Sequence, residues 1–131
     1  MADMNLLSFQ PISPDVFVHR LGGAGIDNLR LKTKEQTLLP PGISVFRAID
    51  PAEVRMQVRQ AFPNATRLIA DAKTIATATV AAIRQAGFDV MPNPTQHFPN
   101  HVRLFHPDGL SGFSDDQLAE LSRAFSTVTR S

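Results

Sequence analysis

Cysteine is absent from this sequence. Its absence excludes a disulfide framework, thiolate chemistry and any zinc site with cysteine ligands, and leaves packing alone to hold the fold. Also missing is any run of about 18 apolar residues, the length a membrane-spanning helix needs. The opening MADMNLLSFQ has no basic region and only a very short apolar stretch, which fits neither a secretory signal nor a transit peptide. The expected setting is therefore cytoplasmic, or a target-cell cytoplasm reached without a signal peptide. Charge of one sign is not in excess either. The 13 basic residues stand against 12 acidic ones and are scattered, with no run that would track phosphates, so nucleic acid is not indicated as a partner.

What is present describes an ordinary globular domain. Hydrophobic residues make up 43% and charged residues 19% of the 131, far from the disordered regime and enough for one core. No repeat, low-complexity tract or long linker divides the chain, so residues 1–131 read as a single domain.

Along the chain, Val16 and Val18 alternate with Phe17 and His19 up to Arg20, the pattern of a strand. A glycine cluster, Gly22, Gly23 and Gly25, follows, and Leu29 to Lys32 repeats the period of two as a second short strand. Pro40, Pro41 and Gly42 force a turn before a third strand, Ile43 to Phe46. Asp50, Pro51 and Glu53 mark a helix start, with Asp50 as cap and Pro51 in the first turn, and that helix should run to about Ala61. From Pro63-Asn64 a further helix is expected up to Gly87, on the helical spacing of Leu68, Ala72, Ile75, Ala76, Val80 and Ile83. Two more short strands, Phe88 to Met91 and His101 to Phe105, lie among the prolines at 92, 94 and 99. Ser114 to Gln117 is a capping box for a last helix with Leu118, Leu121, Phe125 and Val128 as its apolar stripe. The expected fold class is α+β, a small mixed or antiparallel sheet of about five strands with three helices.

Phosphate-loop, HExxH, GxSxG and dinucleotide fingerprints are all missing. Three of the four histidines, His97, His101 and His106, crowd into ten residues, but His101 and His106 fall on opposite sides of a strand and no carboxylate is spaced to complete a site. No metal is expected. More informative are polar residues placed in apolar strands. Arg20 ends one, Ser44 sits within Ile43 to Phe46, and His101 opens another. A buried polar group costs several kcal/mol unless it is paired, so three such positions on three strands point to a cleft.

At these residues the chain resembles the small ADP-ribosyltransferase-like toxins delivered by type VI secretion systems. The resemblance rests on Val18-His19-Arg20, on Gly42-Ile43-Ser44-Val45-Phe46, and on the proline-rich run Val90 to Thr95 leading through Pro99 to His101, with a helical tail. It implies an ADP-ribosyltransferase-like fold and NAD as a bound substrate. It also implies Arg20 pairing a phosphate or ribose oxygen, Ser44 on the nicotinamide ribose, and His101 on the adenosine-side ribose or phosphate. Arg103 and His97 would be further contacts. A glutamate-dependent mechanism would need Glu35, Glu53 or Glu120, and the resemblance favours instead an Arg, Ser and His type of NAD site that mainly positions the dinucleotide. The three main side chains should converge with few structural partners, so alanine at Arg20 or His101 should remove binding with the melt nearly unchanged. Two other classes stay open: a non-catalytic antitoxin, immunity or interaction module of a bacterial conflict system, and a small hydrolase or RNA-modifying enzyme. A toxin would bring a cognate immunity protein or antitoxin as partner.

Overall fold

A computed structural model of the chain describes residues 11–65 and 73–129. Its strands are β1 (Phe17–Leu21), β2 (Gly42–Arg47), β3 (Thr74–Thr79), β4 (Asp89–Pro92), β5 (His101–Phe105) and β6 (Ser126–Thr129). Between them lie helices α1 (Ile26–Leu29), α2 (Thr33–Gln36), α3 (Pro51–Ala61), α4 (Val80–Gln85) and α5 (Asp115–Arg123), with a 3-10 turn at Gly109–Phe113. Every strand pairing is antiparallel, and the strands form one open sheet in the order β4-β5-β2-β1-β3-β6. The α+β class holds. The described residues contain six strands and five helices where about five and three were expected.

Alternation along each strand feeds two cores. Val18, Ile43, Val45, Ala76, Ala78, Val102 and Leu104 share one face with Val80 and Ile83 of α4, Leu118 and Leu121 of α5, and Leu29 of α1. On the other face Phe46 and Ile75 pack with Phe98 and with Val54 and Val58, one helical turn apart on α3. Each of those valines contributes about 1.5 to 3 kcal/mol by leaving water. The helix starts follow local chemistry. The Asp50 carboxylate accepts from the Glu53 N–H at 3.0 Å, and Ser114 Oγ accepts from the Gln117 N–H at 3.4 Å, as the capping patterns require. Among the described residues no helix is long and apolar enough to cross a membrane.

Three expectations fail. Of the helix expected from Pro63-Asn64 to Gly87, the described residues form a strand over Thr74–Thr79 and a helix over Val80–Gln85. Leu68 and Ala72 lie outside the described residues. Ala76 and Ala78 share one face while Ile75 and Thr77 take the other, and β3 is hydrogen-bonded to β1 on one side and β6 on the other. Those two ladders, together with the χ1 stiffness of three threonines, outweigh the helix propensity of alanine. The strand expected over Leu29 to Lys32 is instead the end of α1 and the residues before α2. The Leu29 N–H bonds back to the Gly25 carbonyl at 3.1 Å and the Lys32 N–H bonds to Glu35 Oε1 at 2.7 Å, local bonds that commit the two ends of the segment to α1 and α2. Finally, the last helix stops at Arg123, and Val128 pairs with Ile75 in β6.

One irregularity shapes the functional end of the sheet. β1 pairs with β3 over all five of its residues, but with β2 only at Val18 with Arg47 and His19 with Phe46. Past His19 the two strands part. Gly22 and Gly23 then turn the chain with φ of 84° and 92°, values that only glycine adopts without steric cost.

Candidate functional site

The Arg20 side chain occupies this parting. Alternation puts Arg20 on the Val18 face, opposite Ala76, whereas Ser44 and His101 share the face of His19 and Phe46. The gap between β1 and β2 nevertheless lets all three line one cleft of about 390 Å³. Arg20 Nη1 donates to the Ser44 carbonyl at 2.9 Å, and Nη2 and Nε donate to the Asn28 carbonyl at 2.7 and 3.3 Å. Asn28 is fixed in turn by its own Nδ2, which donates to the carbonyls of Leu21 and Gly23 at 2.9 and 2.5 Å. Arg20 therefore has more structural partners than expected and helps to close the fold.

Its charge is a separate matter. Arg20 is 8% exposed, and among the described residues it forms no ion pair. Burial pulls its pKa below the ordinary arginine value, and the Glu35 charge acts in the opposite direction. Of its five N–H groups, one on each terminal nitrogen has no partner among the described residues. A buried guanidinium with unspent donors and no carboxylate partner is suited to an anion.

Ser44 is half-buried, and its hydroxyl has no partner among the described residues. The His101 ring packs edge-on against Phe46, with Nδ1 2.8 Å from the Asn93 carbonyl. A carbonyl only accepts, so Nδ1 carries the proton and the neutral ring holds a lone pair on Nε2. Burial lowers the His101 pKa, the Asn93 hydrogen bond raises it and the Arg103 charge lowers it further, with the net shift downward. Lys32, Glu35 and Thr95 add polar groups to the cleft, and Leu21, Phe46 and Phe98 form its apolar wall.

The two further contacts are placed elsewhere. Arg103 Nη1 donates to the carbonyls of Leu39 and Pro40 at 3.3 and 3.2 Å. His97 is exposed, sits edge-on to Phe62 at 5.0 Å, and lines a neighbouring cleft on the far side of Phe98. Of the three glutamates only Glu35 lines the cleft. Glu53 borders a different one and accepts from the Ile49 N–H, while Glu120 is exposed and paired with Arg123. His106 is buried against Phe88 and accepts from the Asp108 N–H at 3.0 Å. Among the described residues no three His, Asp or Glu side chains gather as a metal-holding group.

Asn28, Lys32, Thr95 and Phe98 were not singled out by the sequence. They reach the cleft from helices and loops, where no alternation marks a face. Comparison with protein-family models, with curated proteins and with solved structures found no match.

Proposed function

We propose that this chain is an NAD-binding, ADP-ribosyltransferase-like bacterial toxin or effector that acts in the cytoplasm of a target cell. The observation that carries the reading is the convergence of Arg20, Ser44 and His101 on one cleft, with the Arg20 charge left without an ion-pair partner among the described residues. The free N–H groups of Arg20 suit a diphosphate oxygen, and Lys32 adds charge beside them. The Ser44 hydroxyl, without a partner among the described residues, suits a ribose. The Nε2 lone pair of His101 accepts from a hydroxyl, which favours ribose over phosphate at that position. Leu21, Phe46 and Phe98 offer an apolar wall to a planar ring, and a volume near 390 Å³ is in the range of small-molecule sites.

Breaking the nicotinamide-ribose bond develops positive charge on the ribose, so such a site works by holding the dinucleotide bent and oriented. Titration calorimetry with NAD on the purified chain tests the reading. A saturable heat that weakens in Ser44→Ala and His101→Ala is expected, and an absence of heat at millimolar NAD refutes it.

A second reading has one observation in its favour. Phe17 and Ile49, 44% and 79% exposed, flank another cleft of about 520 Å³. Exposed apolar side chains gathered at one place favour an interaction module, or the seat of an immunity protein or antitoxin. A chain inert to NAD that loses a partner on Ile49→Asp would establish that reading.

A further inference from the structure

On the far side of Phe98 from the Arg20 cleft, two further clefts adjoin. The one beside His97, of about 380 Å³, and the one between Phe17 and Ile49, of about 520 Å³, share Asn100. They are also joined along α3, where Gln57 Nε2 of the first donates to Glu53 Oε1 of the second at 3.3 Å. Glu53, Gln57 and Gln60 follow one another on one face of that helix, and residues 96–100 supply Gln96 and Asn100 to the same groove.

Four primary amides thus line it. Asn100 is half-buried, Gln60 and Gln96 are exposed, and the side-chain amides of all three have no partner among the described residues. The backbone carbonyl of Asn100 already accepts from the Arg47 N–H at 3.0 Å, so its side chain is not needed to hold the strand end. A primary amide offers both donors and an acceptor and carries no charge. An extended polypeptide offers one N–H and one C=O per residue, unspent on itself, and is the chain that such amides match on both counts. The stretch from Glu53 to Gln60 is about 10 Å long, the length of about three extended residues. Past it, the exposed Phe17 and Ile49 offer an apolar seat for one side chain. Charge favours a peptide over a nucleic acid, because Asp15 and Glu53 at that end outnumber Arg47 and oppose a phosphate backbone.

We infer that this groove binds an extended polypeptide segment of a partner protein, its main chain held by the amides of Gln57, Gln60, Gln96 and Asn100 and one apolar side chain seated between Phe17 and Ile49. The inference deepens the interaction reading above and rests on it for the apolar seat. It needs no NAD in the Arg20 cleft.

The test uses the full chain and a phage library displaying random linear 12-residue peptides. Enriched sequences should share one apolar position. A synthetic copy should bind the parent in titration calorimetry and bind roughly tenfold more weakly to the double variant Gln60→Ala, Asn100→Ala, for two lost hydrogen bonds. That variant should melt like the parent; if it does not fold, Gln96→Ala on its exposed position carries the test. Methylating the peptide's backbone nitrogens one at a time should weaken binding at positions where alanine is tolerated, a signature of main-chain recognition. Weakening in the alanine pair but not in Ile49→Asp supports the amide groove and fails the apolar-cleft reading. Weakening in Ile49→Asp alone keeps that reading and overturns the inference. A library that enriches nothing overturns it, as does a peptide that binds all the variants like the parent. So does a single-stranded RNA 12-mer that binds in place of any peptide and is lost in the alanine pair, which would make the amides readers of bases.

Discussion

Arg20 Nη1 meets the Ser44 carbonyl at 2.9 Å across the gap where β1 leaves β2, although the two residues lie on opposite alternation faces of the sheet. This bond joins the candidate site to the fold, and it separates the consequences of changing either residue.

Replacing Arg20 should harm both stability and binding. Arg20→Met keeps the apolar stem but withdraws the donors from the Asn28 and Ser44 carbonyls. A buried acceptor left without its donor costs about 1 to 3 kcal/mol. Urea melts should show a loss of that size. Arg20→Lys keeps the charge but not the fork, and should fall between parent and Met in stability while binding NAD more weakly. A Met variant as stable as the parent would show that the three bonds contribute nothing.

Ser44→Ala should separate the two roles in the opposite way. Ser44 serves the fold through its backbone, in the ladder to β5 and at the carbonyl that Arg20 reaches, and alanine retains both. The melt should stay within about 0.5 kcal/mol of the parent, while NAD affinity falls roughly three- to tenfold for one lost hydrogen bond. An unchanged affinity removes Ser44 from the site.

Stability should fall on mild acidification. Burial lowers the pKa of His19, which is fully buried with Nε2 on the Ala48 carbonyl and Nδ1 beside Thr77 Oγ1, and it lowers that of His101. Both regain the ordinary value near 6.5 on unfolding. Below that pH the unfolded chain binds protons the folded chain does not. The stabilisation is therefore whole above about pH 6.5 and is lost as pH falls toward the folded-state values, by at most about 1.4 kcal/mol per pH unit for each histidine. Urea melts from pH 7.5 to 5.5 should show the decline, and His19→Gln should make it shallower. A flat profile in the parent would contradict the assignment.

The Asp50 cap should be worth about 1 kcal/mol. Asp50→Ala leaves the Glu53 N–H without its side-chain acceptor and should lower the melting temperature with NAD binding intact. A melt unchanged within error would show that solvent replaces the cap fully.

Ile75→Asp should unfold the domain. Ile75 is buried on β3 against α3, and an unpaired charge there is among the costliest single changes. Circular dichroism on the purified variant decides it. Native-like melting would mean that the second core is dispensable.

Much of the local structure was legible in the residues themselves. Asp50-Pro51 and Ser114 to Gln117 announce helix starts because the capping bonds span only three residues. The alternation of β2 and β5 reads directly as two faces because each strand has one side in a core. Thr74 to Thr79 is ambiguous in sequence because alanine and isoleucine at those positions also satisfy a helical spacing. The choice between the two was made by ladders to β1 and β6, whose residues lie more than 45 positions away. The cleft divides along the same line. Sequence alone marked Arg20, Ser44 and His101 as polar residues in apolar strands and left three glutamates open. Tertiary structure placed one of them, Glu35, in the lining of the cleft and brought Arg20 to the other two. It did so because the β1-β2 ladder ends at His19 and Phe46, and an interruption in a ladder depends on how distant strands twist and part, which no local pattern encodes.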